Sequence, residues 1–351
     1  MPTLSIEPLG QAIEVRSGQT ILDACLRAGI WLPHACGHGL CGTCKVDVLE
    51  GEVSLGDASA FALMDFERDE GKALACTCTL LGDVTIEADI DEDPDAQLIP
   101  VSDFIGTVTA VEDLTHDVKG ITLALPPPGM HFQPGQYVNL EIPGVTGPRP
   151  FSIANAPGEG DKVWLQVRRV PDGAATGWLH TELRPGQQLR LSGPYGQFFV
   201  RKSRGGPLLF LAGGTGVSSP RSMILDLIEE GYDQPITLIH GVRTQADLYG
   251  QQEFAELAAR HANFRYVPAL SQEPDGSAWA GERGFVHDVA QRLFGGGFAG
   301  LTAYLCGPPP MIEACLRTLM QGRLFEKHIF TERFLTAQDG AAKRSPVFRK
   351  V

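Results

Sequence analysis

The sequence predicts a multidomain protein: a small mixed sheet on one helix, then an antiparallel β-barrel, then an α/β domain with a parallel sheet. Three observations predict it. At 351 residues the chain has room for two or three independent cores. Short runs of alternating apolar and polar residues fill 102–203. From Pro207 onward, apolar strands alternate with amphipathic helices.

In the first module TLSIEP and QAIEV flank Leu9-Gly10, and KVDVLEG and VTIEADI supply further strands. One helix is expected from Gln19 to Gly29. Thr20 caps it with Asp23 three residues on, Ile21, Ala24, Cys25 and Ala28 form its apolar face, and Gly29 stops it. The acidic stretch DIDEDPDAQLIP, 89–100, carries two prolines and no periodicity and reads as an exposed linker. Boundaries follow at 1–92, a linker 93–101, a barrel 102–203, an α/β domain 204–336 and a polar tail 337–351.

Residues 1–100 hold 18 acidic against 5 basic side chains, so the whole net charge of −13 lies there. Such a module repels nucleic acid and anionic lipid but steers a basic protein surface toward itself. No apolar run approaches a membrane span and no leader precedes the first strand, so a cytoplasmic location is expected.

The strongest motif is CGHGLCGTC, in which Cys36, Cys41 and Cys44 have the C-x4-C-x2-C spacing of a plant-type [2Fe-2S] cluster. Cys76, in LACTC, is the distant fourth thiolate, and Cys78 is read as a core thiol on the same strand face. Gly37, Gly39 and Gly42 let backbone amides point inward. Zinc is the alternative, but it prefers two short cysteine pairs. His38 borders the cluster without binding iron. This part resembles the β-grasp ferredoxin domain of bacterial oxygenase reductases. The resemblance implies that Cys36 and Cys41 hold one iron and Cys44 and Cys76 the other.

In the barrel, Arg149, Pro150, Phe151 and Ser152 resemble the R-x-Y-S motif of the ferredoxin-NADP reductase superfamily, with phenylalanine in place of tyrosine. Arg149 suits a pyrophosphate, Phe151 an isoalloxazine face, and Ser152 a hydrogen bond near flavin N5. VRRVPDGAATGWL resembles the second flavin segment, beginning with Val167 and Arg168. There the resemblance implies turn residues Ala174, Ala175 and Thr176 at the flavin phosphates. GPYGQFF resembles the segment that closes the barrel. FAD is expected over FMN because relatives with an N-terminal ferredoxin use FAD.

GGTGVSSP follows the strand PLLFLA as a glycine turn opening a helix, with Gly214, Thr215 and Gly216 in the turn and Pro220 in the first helical turn. CGPPPM ends the strand TAYL. It matches the superfamily motif whose cysteine lies beside the nicotinamide, a role the resemblance gives to Cys306, with Gly307 and Pro308 alongside. TERFL brings Glu332 and Phe334 to where that family has an acidic residue near the flavin and an aromatic shield. The region after ITLIHG offers both Arg243 and Asp247 to the adenosine ribose. Relatives use NADH, which is the expected donor.

Over nearly the whole chain the order of modules, and the runs ACGHGLCGTCKV, SGPYGQFFVR, AYLCGPPPMI and LMQGRLFE, resemble the reductase components of bacterial multicomponent phenol hydroxylases. The resemblance implies hydride transfer from NADH to FAD, then single electrons through the cluster to an oxygenase component. Reductases of toluene, benzoate or methane oxygenases, and a redox-sensing flavoprotein without turnover, are the alternatives.

Overall fold

The structure, a computed structural model, describes residues 1–34, 37, 39–90 and 93–334. The predicted ligand Cys36, its neighbour His38, the boundary residue Glu92 and the tail 337–351 lie outside the described residues. The chain divides into two compact units, one over residues 1–102 and a second beginning at Asp103.

The first unit contains β1 (Thr3–Glu7), β2 (Gln11–Glu14), α1 (Ile21–Arg27), β3 (Lys45–Glu50), β4 (Val53–Ser54), α2 (Asp65–Asp69), β5 (Lys72–Leu74), β6 (Thr79–Leu80) and β7 (Val84–Glu87). Five strands form a mixed sheet in the order β2-β1-β7-β3-β5, with β1 and β7 parallel. This is the β-grasp arrangement. α1 starts where Thr20 Oγ1 accepts the Asp23 N–H at 3.2 Å, and it buries Ile21, Leu22, Ala24, Cys25 and Leu26 against the sheet. It spans Ile21–Arg27, shorter than Gln19–Gly29, because Ala28 already closes the last turn and Gly29 takes φ 76°. The linker is not wholly exposed: Val101 is buried and donates its N–H to Leu26 O at 3.1 Å.

The second unit begins with the barrel: β8 (Ser102–Asp113), β9 (Val118–Ala124), β10 (Tyr137–Leu140), β11 (Arg149–Ser152), β12 (Lys162–Arg168), α3 (Ala174–Thr181) and β13 (Gln188–Tyr195). The order is β11-β10-β13-β8-β9-β12, and an Ile153–Leu165 bridge joins the two edge strands. Closure removes both free edges. Inward-facing Ile121, Leu123, Val138, Leu140, Val163 and Leu165 fill the interior.

The chain continues through β14 (Leu208–Gly213), α4 (Ser218–Glu229), β15 (Ile236–Val242), α5 (Gln251–Arg260), β16 (Phe264–Leu270), β17 (Glu282–Arg283), α6 (Val286–Leu293), β18 (Thr302–Gly307), α7 (Pro309–Gln321) and β19 (Ile329–Arg333). All six strands are parallel, in the order β17-β16-β15-β14-β18-β19. β14 and β18 are neighbours although far apart in sequence, so their carboxyl ends form the switch point where α/β sheets place ligands. Hydrogen bonds fasten the barrel to α4. Ser218 Oγ donates to Gln166 Oε1 at 2.8 Å, Ser222 Oγ donates to Asn155 O at 2.7 Å, and Arg221 donates to Ala154 O.

Candidate active site

The switch point is built from three loops. After β14 the chain turns through a 3-10 segment, Gly214–Val217, before α4 begins at Ser218. The expected simple turn is thus a short helix. Gly216 passes so close to β18 that a Cβ there would meet Cys306 O at 2.3 Å. Gly214 takes φ 55° with open space on its Cβ side, and Thr215 accepts a hydrogen bond from Ser218 Oγ at its carbonyl. Pro220 is buried at the third position of α4, where its missing N–H costs nothing.

Cys306 is fully buried near the end of β18, in register with Glu332 on β19. The Glu332 Oε2 atom accepts three hydrogen bonds: from Ser219 Oγ at 2.7 Å, Ser152 Oγ at 3.3 Å and Cys306 Sγ at 3.4 Å. Burial raises the Glu332 carboxyl above the ordinary carboxylate range, and these three donors partly oppose that rise. Burial likewise pushes the Cys306 thiol well up, helped by the Glu332 charge, so the sulfur stays protonated. Phe334 is half-buried against the core of the nucleotide sheet, and its N–H donates to Gly307 O at 3.0 Å. Gly307 ends β18, and Pro308 caps α7.

On the barrel side, Phe151 is half-buried and Arg149 exposed on β11. The exposed Arg149 guanidinium donates to the carbonyls of Thr146, Gly147 and Pro148. Ala174, Ala175 and Thr176 lie in the first turn of α3 rather than in the preceding turn. Gly173 caps that helix and offers no side chain to its first N–H groups. Thr176 Oγ1 serves its own turn, accepting from Val170 N at 3.0 Å. Val167 is a core residue of β12, whereas Arg168 is exposed and pairs with Asp117 at 3.0 Å. These residues fit a flavin: an exposed cation and a half-buried ring lie on β11, and a helix terminus follows β12.

Asp247 is not free to serve a ribose with both oxygens. Its Oδ2 accepts from Thr244 N and Oγ1, each at 2.9 Å, and its Oδ1 faces Arg243 Nη2 at 3.1 Å.

In the first unit, Cys44 and Cys76 are buried and Cys41 partly so. The Gly39 N–H donates to Cys76 Sγ at 3.3 Å. Gly39 has φ 78°, and a Cβ there would stand 2.9 Å from Thr77 Cγ2 and 3.0 Å from Asp57 O. A hydrogen bond with Cys76 outweighs burial and lowers the Cys44 thiol. Soft thiol donors with an inward backbone amide fit an iron–sulfur centre. Cys76 lies in a turn rather than on a strand, so the alternating-face geometry expected for Cys78 does not apply. Cys78 is instead wholly buried, its thiol pushed up to about 12 by burial.

Sequence reasoning missed Ser219 and Asp117. Ser219 sits inside the motif GGTGVSSP, where a hydroxyl in a first helical turn was a usable signal. Asp117 sits in an ordinary polar hairpin and carried none.

Comparison with known proteins defines the class of this architecture. Residues 4–81 match the 2Fe-2S iron-sulfur cluster binding domain, 106–200 the oxidoreductase FAD-binding domain and 210–317 the oxidoreductase NAD-binding domain. Three such modules define an iron–sulfur flavoprotein oxidoreductase using FAD, a [2Fe-2S] cluster and a nicotinamide nucleotide. The chain is 58% identical over 350 residues, 99% of each protein, to the phenol 2-monooxygenase reductase component DmpP of Pseudomonas sp. (strain CF600). It is 52% identical over the same length, again 99% of each, to the phenol hydroxylase P5 protein of Acinetobacter pittii. The crystal structure of the Amycolatopsis reductase GcoB superimposes with TM-score 0.86 at 36% identity, covering 95% of this chain and 99% of that one. The chain therefore belongs to the family of reductase components of bacterial multicomponent oxygenases typified by these phenol hydroxylase proteins. No helix among the described residues is long and apolar enough to cross a membrane.

Proposed function

We propose that this chain is the cytoplasmic reductase component of a phenol hydroxylase system, oxidising NADH and delivering electrons singly to the oxygenase component. When bound, FAD supplies the conversion from a two-electron donor to one-electron output, and the [2Fe-2S] cluster supplies the exit. The observation that carries the reading is the convergence on Glu332 Oε2: Ser152 comes from the flavin barrel, Ser219 and Cys306 from the nucleotide sheet. A flavin and a nicotinamide must meet where those two parts meet.

The remaining roles follow from chemistry. Arg149 neutralises a pyrophosphate, Phe151 covers the flavin ring, and Val167, Arg168, Ala174, Ala175 and Thr176 line its phosphate end. Gly214, Thr215, Gly216 and Pro220 shape the turn that receives the dinucleotide, and Gly307 and Pro308 form its opposite wall. Asp247 faces the ribose. Cys306 presents a neutral sulfur beside the nicotinamide, Glu332 sets an acidic group near the flavin, and Phe334 shields the ring. Cys41, Cys44 and Cys76, with Cys36, hold the cluster. The module limits 1–92, 102–203 and 204–336, joined by 93–101 and followed by a tail, belong to the same reading.

The test is phenol-dependent NADH oxidation with the purified oxygenase component of a phenol hydroxylase. Coupled phenol turnover is expected. Equal or better coupling to a ring-hydroxylating dioxygenase would overturn the choice of partner.

A further inference from the structure

Resting on the NADH reading above and deepening it, we propose that Asp117, in the hairpin between β8 and β9, is a specificity-determining positioning residue. It holds the Arg243 guanidinium away from the nucleotide's 2′ position, and so selects NADH over NADPH.

β14, α4 and β15 form a β-α-β unit with the glycine turn at its first crossover. In such a unit the residues that follow the second strand meet the adenosine ribose. A carboxylate there accepts the 2′-hydroxyl, whereas an arginine there pairs with a 2′-phosphate. This chain carries both, Arg243 directly after β15 and Asp247 four residues on.

The structure shows Arg243 already engaged. Its Nη2 lies 3.5 Å from Asp117 Oδ2 and 3.1 Å from Asp247 Oδ1. Asp117 is itself fixed. Arg168 Nε is 3.0 Å from its Oδ2, Thr115 Oγ1 donates to its Oδ1 at 3.1 Å, and its carbonyl accepts the Arg169 N–H at 2.8 Å. It cannot follow Arg243 toward an arriving phosphate. Asp247 is equally fixed by Thr244. His116 Nε2 lies 3.9 Å from both carboxylates. Two guanidinium groups compensate the two carboxylates, which makes this cluster a closed charge network rather than a cation site.

A 2′-phosphate brings nearly two negative charges. It would have to approach two carboxylates and draw Arg243 from both. A 2′-hydroxyl needs neither, since it donates to a carboxylate oxygen at no charge cost. Discrimination of this kind works by repulsion as much as by attraction. Asp117 and Asp247 are only 19% and 12% exposed, so water screens them less than it screens Arg243 at 48%.

The experiment measures kcat/KM for NADH and NADPH, with ferricyanide as acceptor, on cofactor-loaded wild type, Asp117→Asn, Asp117→Ser, Arg243→Ala and the Asp117→Asn/Arg243→Ala pair. The wild type is expected to favour NADH. Each Asp117 variant should raise kcat/KM for NADPH by about tenfold relative to NADH, the size of one charge contact. That gain should come through KM rather than kcat, and it should be smaller in the paired variant, which keeps only the relief of carboxylate repulsion. A ratio unchanged within twofold in both Asp117 variants, or a gain equally large after loss of Arg243, overturns the inference while leaving the NADH reading intact. A wild type that prefers NADPH overturns the NADH reading itself.

Discussion

Replacing Gly216 by alanine tests whether the turn after β14 must stand against β18 to receive the nucleotide. The added Cβ would lie 2.3 Å from Cys306 O, 2.7 Å from its carbonyl carbon and 3.0 Å from Gly307 Cα. These are backbone atoms of a strand paired on both sides, Cys306 with Ala212 and with Glu332. The turn must therefore give way, by about 1 Å, to restore ordinary contact at roughly 3.5 Å. Overpacking of this kind costs about 1–3 kcal/mol, and a shift of about 1 Å in a positioning segment costs about 100-fold in rate. The assay is stopped-flow flavin reduction by NADH, alongside thermal unfolding and FAD and iron content. Flavin reduction about 100-fold slower at subsaturating NADH is expected, with both cofactors retained and Tm a few degrees lower. Wild-type reduction within threefold, at unchanged Tm, would refute the reasoning.

Four further outcomes follow from the same geometry. Burial raises the Glu332 carboxyl in the folded state, so the native protein binds that proton more tightly than the unfolded chain does. Stability is then lost as pH rises from the ordinary carboxylate range through the raised folded value. Glu332→Gln keeps an acceptor oxygen for Ser219 and removes the charge, so its Tm relative to wild type should climb as pH rises above the ordinary carboxylate range while flavin reduction slows; a Tm difference independent of pH contradicts this. Cys44→Ser should abolish the cluster absorbance and cytochrome c reduction but spare ferricyanide reduction. Cys78→Ala should keep the cluster and cost about 1–2 kcal/mol of packing, and loss of the cluster there would show the ligand set to be wrong. Arg149→Ala should weaken FAD retention by about tenfold or more, one charge-assisted contact, read as FAD per chain after desalting; full retention would remove Arg149 from the phosphate site.

The fold was legible because each module announces its own period. Alternation in TVTAVEDL and GITLAL gave β8 and β9, and the apolar run PLLFLA before a glycine turn gave β14 and α4. Thr20 and Asp23 wrote the start of α1 into four residues. Where a position depends on how a turn closes, local pattern was insufficient. Ala174 entered a helix rather than its preceding turn, and Cys76 and Cys78 left the strand expected for them, because a loop of four residues joins β5 to the short β6. The site was half legible. Cys306 and Glu332 stand in recognisable motifs, but Ser219 reaches Glu332 across 113 residues and Asp117 reaches Arg243 across 126. Such pairings arise from sheet order and barrel closure, which one sequence does not display.

The most direct test of the account is an anaerobic NADH titration of the purified holoprotein, following the flavin and cluster absorbance bands together. Both bands are expected to bleach within about two equivalents of NADH, and in Cys44→Ser the flavin band alone should respond. A flavin that stays oxidised with both chromophores present, or a flavin that bleaches while an intact cluster remains oxidised, would contradict it.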